Sequence, residues 1–228
     1  MRQRYSTDLT DEQWAVIAPL FKGMRNRKWD KRELVNAVLY LVDNGYLPHD
    51  LPPYSTVHSF YRRARISGLW DKILQHLVEV TRKKAGKNPN PTYAIIDSQS
   101  VDTAYNSEQV GFKGHKRHIL TDTLGNILAV KVHRANLHDT KSGIFPAVKA
   151  WHKYPTIKTF CADNVKTILN LSVAVSPKIK AVGFHVIPKR WVVERTFAWL
   201  GNSRRFHKRL SLKFPIATPY LNLYQYIF

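Results

Sequence analysis

Apolar residues recur at helical spacing through the first third of the chain. Thr10-Asp-Glu-Gln13 has the sequence of a capping box, and apolar residues follow it every three or four positions. By similar signals a second helix runs from Asp30 to near Gly45, a third from Ser55 to about Ile66, and a fourth from Leu69 to about Lys84. Short helices joined by tight turns predict an all-α, helix-turn-helix-like domain over residues 1–85.

The hydrophobic pattern changes after a short polar segment. Residues 86–91 are rich in Gly, Asn and Pro, which predicts a linker. Thr92–Asp97 is an apolar run that ends in an acid, and it predicts a buried strand with Asp97 at its carboxyl end. His115–Leu124 and Ile127–Ala135 flank Gly125-Asn126, and together they predict a β-hairpin.

Helices and strands alternate through the rest of the chain. Asp139 can cap a helix that runs to about His152, and Thr156–Asp163 predicts a second strand that ends in an aspartate. Phe184–Pro188 predicts a further strand, and Arg190–Leu200 a helix that is apolar on most of its circumference. This order predicts an α/β domain over residues 92–228, a mixed sheet with helices on its faces.

The charge of the chain narrows the class of partner. The 228 residues include 36 Lys and Arg against 16 Asp and Glu, a net charge of +20. Such an excess of positive charge favours nucleic acid over a membrane surface as the binding partner. The alternative is a basic surface that serves only to keep the protein soluble. The only cysteine, Cys161, excludes a disulfide framework and a thiolate zinc site. No run is apolar enough for a membrane span or a signal peptide, so we expect a cytoplasmic protein with no membrane partner.

The predicted third helix carries the basic residues best suited to DNA. Val57, Phe60 and Ala64 share one face, which would anchor the helix to its neighbours. The residues expected to contact DNA spread over the other faces: His58, Tyr61, Arg62, Arg63 and Arg65. Guanidinium groups suit both phosphates and guanine edges. A solvated basic helix is the alternative, because an arginine-rich helix alone is a weak signal.

Three acids stand out in the second domain. Asp97 and Asp163 each end an apolar strand, and ligands bind beyond the carboxyl ends of parallel strands in α/β sheets. Glu194 lies in the middle of an apolar helix, where it pairs with Arg190 or Arg195 or holds a cation. Carboxylates that converge need a cation between them, and Mg²⁺ or Mn²⁺ suits hard oxygen ligands. The sequence therefore predicts a two-metal site for phosphoryl transfer, with simple turn acids as the alternative for the aspartates.

Several motifs closely resemble the DDE transposases of small bacterial insertion sequences, in the group typified by insertion sequence five. In the second domain the matching motifs are Ile95-Ile-Asp97-Ser-Gln-Ser100, His115-Lys-Arg-His-Ile-Leu120, Ala162-Asp163 and Arg190-Trp-Val-Val-Glu194-Arg-Thr-Phe-Ala-Trp-Leu-Gly201. In the first domain they are Thr7–Trp14, Leu47–Thr56 and Phe60–Arg63. The resemblance covers nearly the whole chain, and the motif around Glu194 is highly specific.

The resemblance implies a ribonuclease-H-like catalytic domain whose metal-binding triad is Asp97, Asp163 and Glu194. Two Mg²⁺ or Mn²⁺ ions would be held there, with Asp97 bridging both. Such enzymes bind the terminal inverted repeats of their element, hydrolyse a phosphodiester and join the freed 3′-hydroxyl to target DNA. We therefore expect double-stranded DNA as the partner, a homodimer that pairs two element ends, and a place beside the bacterial nucleoid.

Further basic and aromatic residues flank these acids. Lys113, Lys116 and Arg117 are expected to hold the DNA backbone beside the sheet, and Arg190 and Arg195 to clamp a phosphate or orient Glu194. His115 and His118 are expected either to contact the DNA backbone or to form a zinc site. Trp191 and Trp199 are either core residues or platforms on which bases stack. Core packing is favoured for the tryptophans.

The chain departs from the family pattern near the second aspartate. The family places glycines after it, whereas here Asn164-Val-Lys-Thr167 follows, and Glu194 comes 31 residues later in a shortened interval (194 − 163). The segment before Leu47-Pro48 is also shortened. Two alternative functions follow: a catalytically impaired relative that binds DNA and represses active copies, and a nuclease without a joining step.

Overall fold

The chain folds as an α/β protein, with helices first and a mixed sheet second, in the computed structural model. The structure describes residues 2–25, 28–101, 115–134, 144–161, 172–174 and 191–202. Asp163, Lys113, Arg190 and the strand predicted at Phe184–Pro188 lie outside these residues.

All four helices predicted in the first domain are present. They are α1 (Asp11–Ile17), which continues into a 3₁₀ turn (Ala18–Phe21), α2 (Lys31–Asn44), α3 (Tyr54–Ile66) and α4 (Leu69–Lys84). The capping box of α1 is confirmed, because Thr10 Oγ1 accepts from the Gln13 amide and Gln13 Oε1 from the Thr10 amide. Helix α2 ends at Gly45, whose φ of 86° is the left-handed conformation that glycine adopts without strain.

The sheet has five strands in the order β3-β2-β1-β4-β5 among the described residues. These are β1 (Tyr93–Val101), β2 (His115–Thr121), β3 (Ile127–Arg134), β4 (Thr159–Cys161) and β5 (Ser172–Ala174). Strands β1, β2 and β3 pair antiparallel, so the predicted hairpin is confirmed, whereas β4 and β5 run parallel to β1. The mixed character of the sheet is confirmed as well.

Strand β1 is longer than predicted, and Asp97 does not end it. Its pairing with β2 extends from Ile95 to Val101, and Asp97 lies opposite Ile119. On its other side, the described pairing with β4 stops at Ile95 opposite Cys161. The local sequence predicted a strand end because a polar stretch follows Asp97, but the antiparallel neighbour supplies the backbone partners that continue the strand.

The remaining elements differ from the sequence prediction in their limits. The helix predicted from Asp139 is α5 (Ile144–Lys153), as far as the structure describes it. The last described helix is α6 (Trp191–Asn202), which contains the predicted Glu194 helix. Strand β5 lies in a segment where no strand was predicted.

Each face of the sheet packs against different helices. Because side chains alternate along a strand, Ile95 and Ile119 point to one face, and they share a hydrophobic core with Val193 of α6. Leu120 and Phe160 point to the other face and pack with residues of α5 and of α4: Ala147, Ala150 and Val78. Helix α6 therefore covers the face of the sheet to which Asp97 belongs.

The helical region and the sheet share their cores across the predicted linker. Leu77 of α4 belongs to the same buried cluster as Ile95 of β1, and Val78 of α4 to the same cluster as Ala94. Residues 86–91 thus connect two parts of the chain that are packed directly against each other.

Candidate functional site

Helix α3 presents its arginines to solvent, as predicted. Val57, Phe60 and Ala64 are buried, and they fix the helix against α2 and α4. Arg62, Arg63 and Arg65 are exposed on the opposite side and His58 is half-buried. The helix can therefore offer three guanidinium groups to a ligand without disturbing its apolar face.

Tyr61 does not belong with those exposed residues. Its side chain is only 5% exposed, and its ring stacks on Trp70 of α4 with centroids 6.1 Å apart. Trp70 Nε1 donates to the Tyr61 carbonyl at 3.3 Å, and burial raises the pKa of the Tyr61 hydroxyl. Tyr61 follows Val57 by four positions, so it extends the apolar stripe of α3. The prediction that Tyr61 contacts DNA is corrected to a core position that joins α3 to α4.

Asp97 lies near the centre of the sheet rather than at its rim. The side chain is half-buried, and Oδ1 accepts from the Ser98 amide at 2.8 Å. Asp97 shares its face with Gln99 and with Ile95, two residues away on either side. Strand β4 pairs with the other edge of β1, and the last described pair between them is Ile95 with Cys161. Asp97 lies two residues after Ile95, and therefore beyond the carboxyl end of β4 as the structure describes it.

Arg117 and Lys116 lie on opposite faces of β2. Arg117 is buried on the face of Asp97, and its Nη2 donates to Gln99 Oε1 at 2.9 Å. Burial lowers the pKa of the Arg117 guanidinium. Lys116 is half-buried on the other face, opposite Ser100. The expectation that both side chains hold DNA backbone is therefore corrected for Arg117, whose buried position suits it to support Gln99 beside Asp97.

Glu194 stands on the exposed side of α6. The buried stripe of this helix consists of Val192, Val193, Thr196, Phe197 and Leu200, and it packs on β1 and β2. The apolar sequence around Glu194 does not bury this residue, because its side chain is exposed. The same stripe brings the Glu194 helix onto the face that carries Asp97.

The tryptophans of α6 are also more exposed than predicted. Trp191 is 43% exposed and Trp199 is 37% exposed, so the expectation that they are core residues is corrected. They stand four residues before and after Arg195, whose guanidinium carbon lies 4.8 Å from the Trp191 ring centroid and 4.7 Å from that of Trp199. Cation–π contacts on both sides hold the Arg195 side chain in place.

Arg195 also bonds to the β2–β3 turn. Its Nη2 donates to the Leu124 carbonyl at 3.1 Å, and its side chain is half-buried. The sequence offered two roles for Arg195, clamping a phosphate or orienting Glu194, and these contacts anchor it on the helix that carries Glu194.

Comparison with known families bears on the helical region. Residues 9–74 match the family described as a putative transposase of IS4/5 family. The match supports an IS4/5-like transposase. The matched range covers α1, α2 and α3 and the start of α4, and so contains the three exposed arginines. No curated protein and no solved structure matches the chain.

Helix α3 of the IS4/5-like region begins with an exposed aromatic residue that was not among the predicted DNA contacts. Tyr54 is half exposed and stacks on His58, with centroids 5.9 Å apart and an interplanar angle of 20°. Tyr54, His58 and Arg62 are spaced by four residues and therefore form one stripe along α3. The sequence predicted a helix that begins at Ser55. The pair Pro52-Pro53 was the signal for an earlier start, because proline favours the beginning of a helix.

The described residues do not by themselves complete a metal site. They contain no group of three or more His, Cys, Asp or Glu side chains placed to hold an ion, and Asp163 is not among them. His118 is buried on the face opposite Asp97, while the His115 side chain lies outside the description. Within the same residues, no helix is long and apolar enough to cross a membrane.

Proposed function

We propose that this IS4/5-like transposase binds double-stranded DNA through α3 and catalyses metal-dependent DNA cleavage and strand transfer at the ends of an insertion sequence. The observation that carries the proposal is the packing of α6 on the sheet. It brings the helix of Glu194 onto the face of Asp97 in a chain whose helical region matches a transposase family. Because cleavage of DNA needs acids next to a cationic protein surface, this juxtaposition fits the chemistry.

Asp97, Asp163 and Glu194 are the proposed catalytic residues and metal ligands. Asp97 and Glu194 supply carboxylate oxygens, the donors that Mg²⁺ and Mn²⁺ prefer. Asp163 follows Cys161 by two residues, just as Asp97 follows Ile95, the parallel partner of Cys161. Equal spacing from a paired position supports a shared location for the two aspartates. When bound, two such ions would activate a nucleophile and stabilise the leaving oxygen in phosphoryl transfer.

The residues around Asp97 prepare it for that role. The Ser98 amide donates to Asp97 Oδ1, which orients the carboxylate. Gln99 stands next on the same face and is held by Arg117. The Ser98 bond thus orients Asp97, and the positive Arg117 adds to the field that attracts a phosphate.

We further propose a ribonuclease-H-like identity for the sheet domain, a helix-turn-helix-like identity for the helical region, and a homodimer that pairs two element ends. A central strand that carries an acid, helices on both faces of a mixed sheet, and the IS4/5 match support these finer assignments. Lys113, Lys116 and Arg190 remain proposed contacts to the DNA backbone. The alternative is a catalytically impaired relative that binds DNA without cutting it, and the exposed arginines of α3 would serve it equally well.

A cleavage and joining assay tests the proposal. Duplexes carrying the DNA that flanks the coding sequence in its genome are incubated with the protein in Mg²⁺ or Mn²⁺. We expect nicks at the element ends and joined products in a target plasmid, both lost on chelation. Salt-sensitive binding without any cleavage would instead establish the binding-only alternative, and nicks without joining would establish a nuclease.

Substitution of the α3 arginines tests the DNA-binding surface. The triple variant Arg62→Ala, Arg63→Ala, Arg65→Ala should bind duplex DNA more weakly. The slope of log affinity against log salt should shrink by about two to three, because each lost phosphate contact removes about 0.9. Fluorescence anisotropy over a salt series measures the slope.

A control with the same loss of charge makes that result specific. Lys83, Lys87 and Lys149 are exposed at the end of α4, in the segment after it and on α5, and the triple alanine variant of these lysines also removes three charges. A markedly smaller change in slope is expected for it. Equal changes in both variants would mean that binding follows net charge and not the α3 surface.

A further inference from the structure

The turn between β2 and β3 is organised by one buried acid. Asp122 Oδ1 accepts from the amides of Leu124 and Asn126, each at 2.9 Å. Gly125 has a φ of 93°, which a residue with a Cβ adopts only with strain. The turn at residues 122–126 is thus rigid, and its shape depends on Asp122.

Helix α4 is bonded to this turn through a buried ion pair. Arg82 Nη1 lies 2.7 Å from Asp122 Oδ2, and the two side chains are only 7% and 0% exposed. Asn126 Nδ2 donates to the same oxygen at 3.0 Å, and Thr81 Oγ1 lies 3.0 Å from Asn126 Oδ1 as well as 2.9 Å from the Leu77 carbonyl of its own helix. A buried pair of this kind tolerates little displacement, because either charge left alone would be costly. The ion pair therefore fixes the C-terminal end of α4 against the turn.

Helix α6 also contacts this turn. Arg195 Nη2 donates to the Leu124 carbonyl at 3.1 Å. Thr196 Oγ1, which lies 3.0 Å from the Val192 carbonyl of its own helix, is also 3.4 Å from the Gly125 carbonyl. Both residues directly follow Glu194 in the helix. The position of Glu194 along the sheet is consequently fixed by the turn.

We propose that the turn at residues 122–126 couples the DNA-binding helices to the Glu194 helix, with Arg82 and Arg195 as positioning residues. Tyr61 and Trp70 join α3 to the start of α4, and Arg82 lies twelve residues further along that helix, about 18 Å away. This connection sets the separation between bound DNA and the cleaved phosphodiester. The turn thereby helps to determine which bond is cut. The positioning role rests on the proposed function, whereas the coupling itself does not.

A double-mutant cycle tests the coupling without DNA. Arg82→Met and Arg195→Met each remove bonds to a different residue of the turn, and urea unfolding gives their effects on the unfolding equilibrium constant. We expect the double variant to depart from the product of the single effects by about threefold or more, since both helices act on one turn. If the effect of the double variant equals the product of the two single effects, the coupling is overturned. Arg82→Met combined with Arg65→Ala, which lies on α3 away from the turn, should give a simple product.

A milder pair keeps the test valid if Arg82→Met does not fold. Thr81→Val removes the hydroxyl next to Asn126 Oδ1, and Thr196→Val removes the hydroxyl next to the Gly125 carbonyl. Each also loses a bond within its own helix, and that local loss belongs to the single effects. The same departure from the product is expected, on a smaller scale. Independent effects in this cycle would also overturn the coupling.

Cleavage kinetics then test the positioning role. Arg195→Met, assayed on element-end duplexes where it is fully folded, should lower kcat about tenfold or more with little change in KM, and should cut at more than one bond. A merely structural residue would change the folded fraction and leave kcat per folded molecule and the cut position unaltered, and that result would overturn the positioning role. A wild-type protein that does not cleave would remove this role together with the proposed function, while the unfolding cycle would still decide the coupling.

Discussion

Asp97→Asn is expected to lower metal-dependent DNA cleavage by about a thousandfold or more, with DNA binding unchanged. The substitution removes the negative charge that would hold the metal ions but keeps the size of the side chain. Its carbonyl oxygen can still accept from the Ser98 amide, so β1 should keep its structure. Cleavage of an element-end duplex in Mg²⁺ and Mn²⁺, beside anisotropy measurements of DNA binding, checks both halves of the expectation.

A matched acid provides the control for this prediction. Asp71, an exposed carboxylate in the first turn of α4, lies outside the proposed site, and Asp71→Asn should leave the cleavage rate within about twofold of the wild type. Glu194→Gln should behave like Asp97→Asn, because it removes a second proposed ligand. Cleavage at the wild-type rate by Asp97→Asn would eliminate the metal mechanism, whatever the family of the helical region.

Features encoded by neighbouring residues could be predicted from the sequence. The capping box at Thr10, the end of α2 at Gly45 and the hairpin around Gly125-Asn126 each depend on residues a few positions apart, and all three are present. The buried side of α6 is another such case, because the helical period alone assigns Val193 and Phe197 to one stripe.

Features that depend on distant partners could not be predicted in the same way. The length of β1 is determined by β2, whose first residue follows fourteen positions after Val101. Arg117 looks like a basic DNA contact, but its burial follows from Gln99 across the strand pair. Tyrosine suits both a DNA interface and a protein core, so the local sequence does not assign Tyr61 to one of them. Its contacts with Trp70, nine residues later, place it in the core.

The candidate site shows the same division. The sequence motifs point to Asp97 and to Glu194 separately. That the helix of Glu194 packs on the face of the sheet that carries Asp97 follows only from the register of β1 and the packing of α6. The interval before Glu194 is shorter than in the family pattern, so the contacts that position α6 matter for the site. Arg195 and Thr196 tie α6 to the β2–β3 turn, so that turn contributes to the position of Glu194 independently of the shortened segment.

Asp122→Asn is expected to destabilise the protein by about 3–5 kcal/mol, the largest stability effect among these substitutions. The amide keeps an oxygen for the Leu124 and Asn126 amides, but it presents an uncharged group to Arg82 and leaves that guanidinium buried without its counter-ion. Thermal and urea unfolding measure the loss.

The surface ion pair of Arg32 and Asp11 shows why burial, rather than distance, should govern this effect. The two pairs have almost the same length, 2.6 Å for Arg32–Asp11 and 2.7 Å for Arg82–Asp122, yet the Asp11 side chain is 90% exposed. Asp11→Asn should therefore cost less than about 1 kcal/mol. Replacement of both buried partners, as in Arg82→Met with Asp122→Asn, should recover part of the loss because no charge is left alone. Equal costs for Asp11→Asn and Asp122→Asn would show that the buried pair does not hold α4 on the turn.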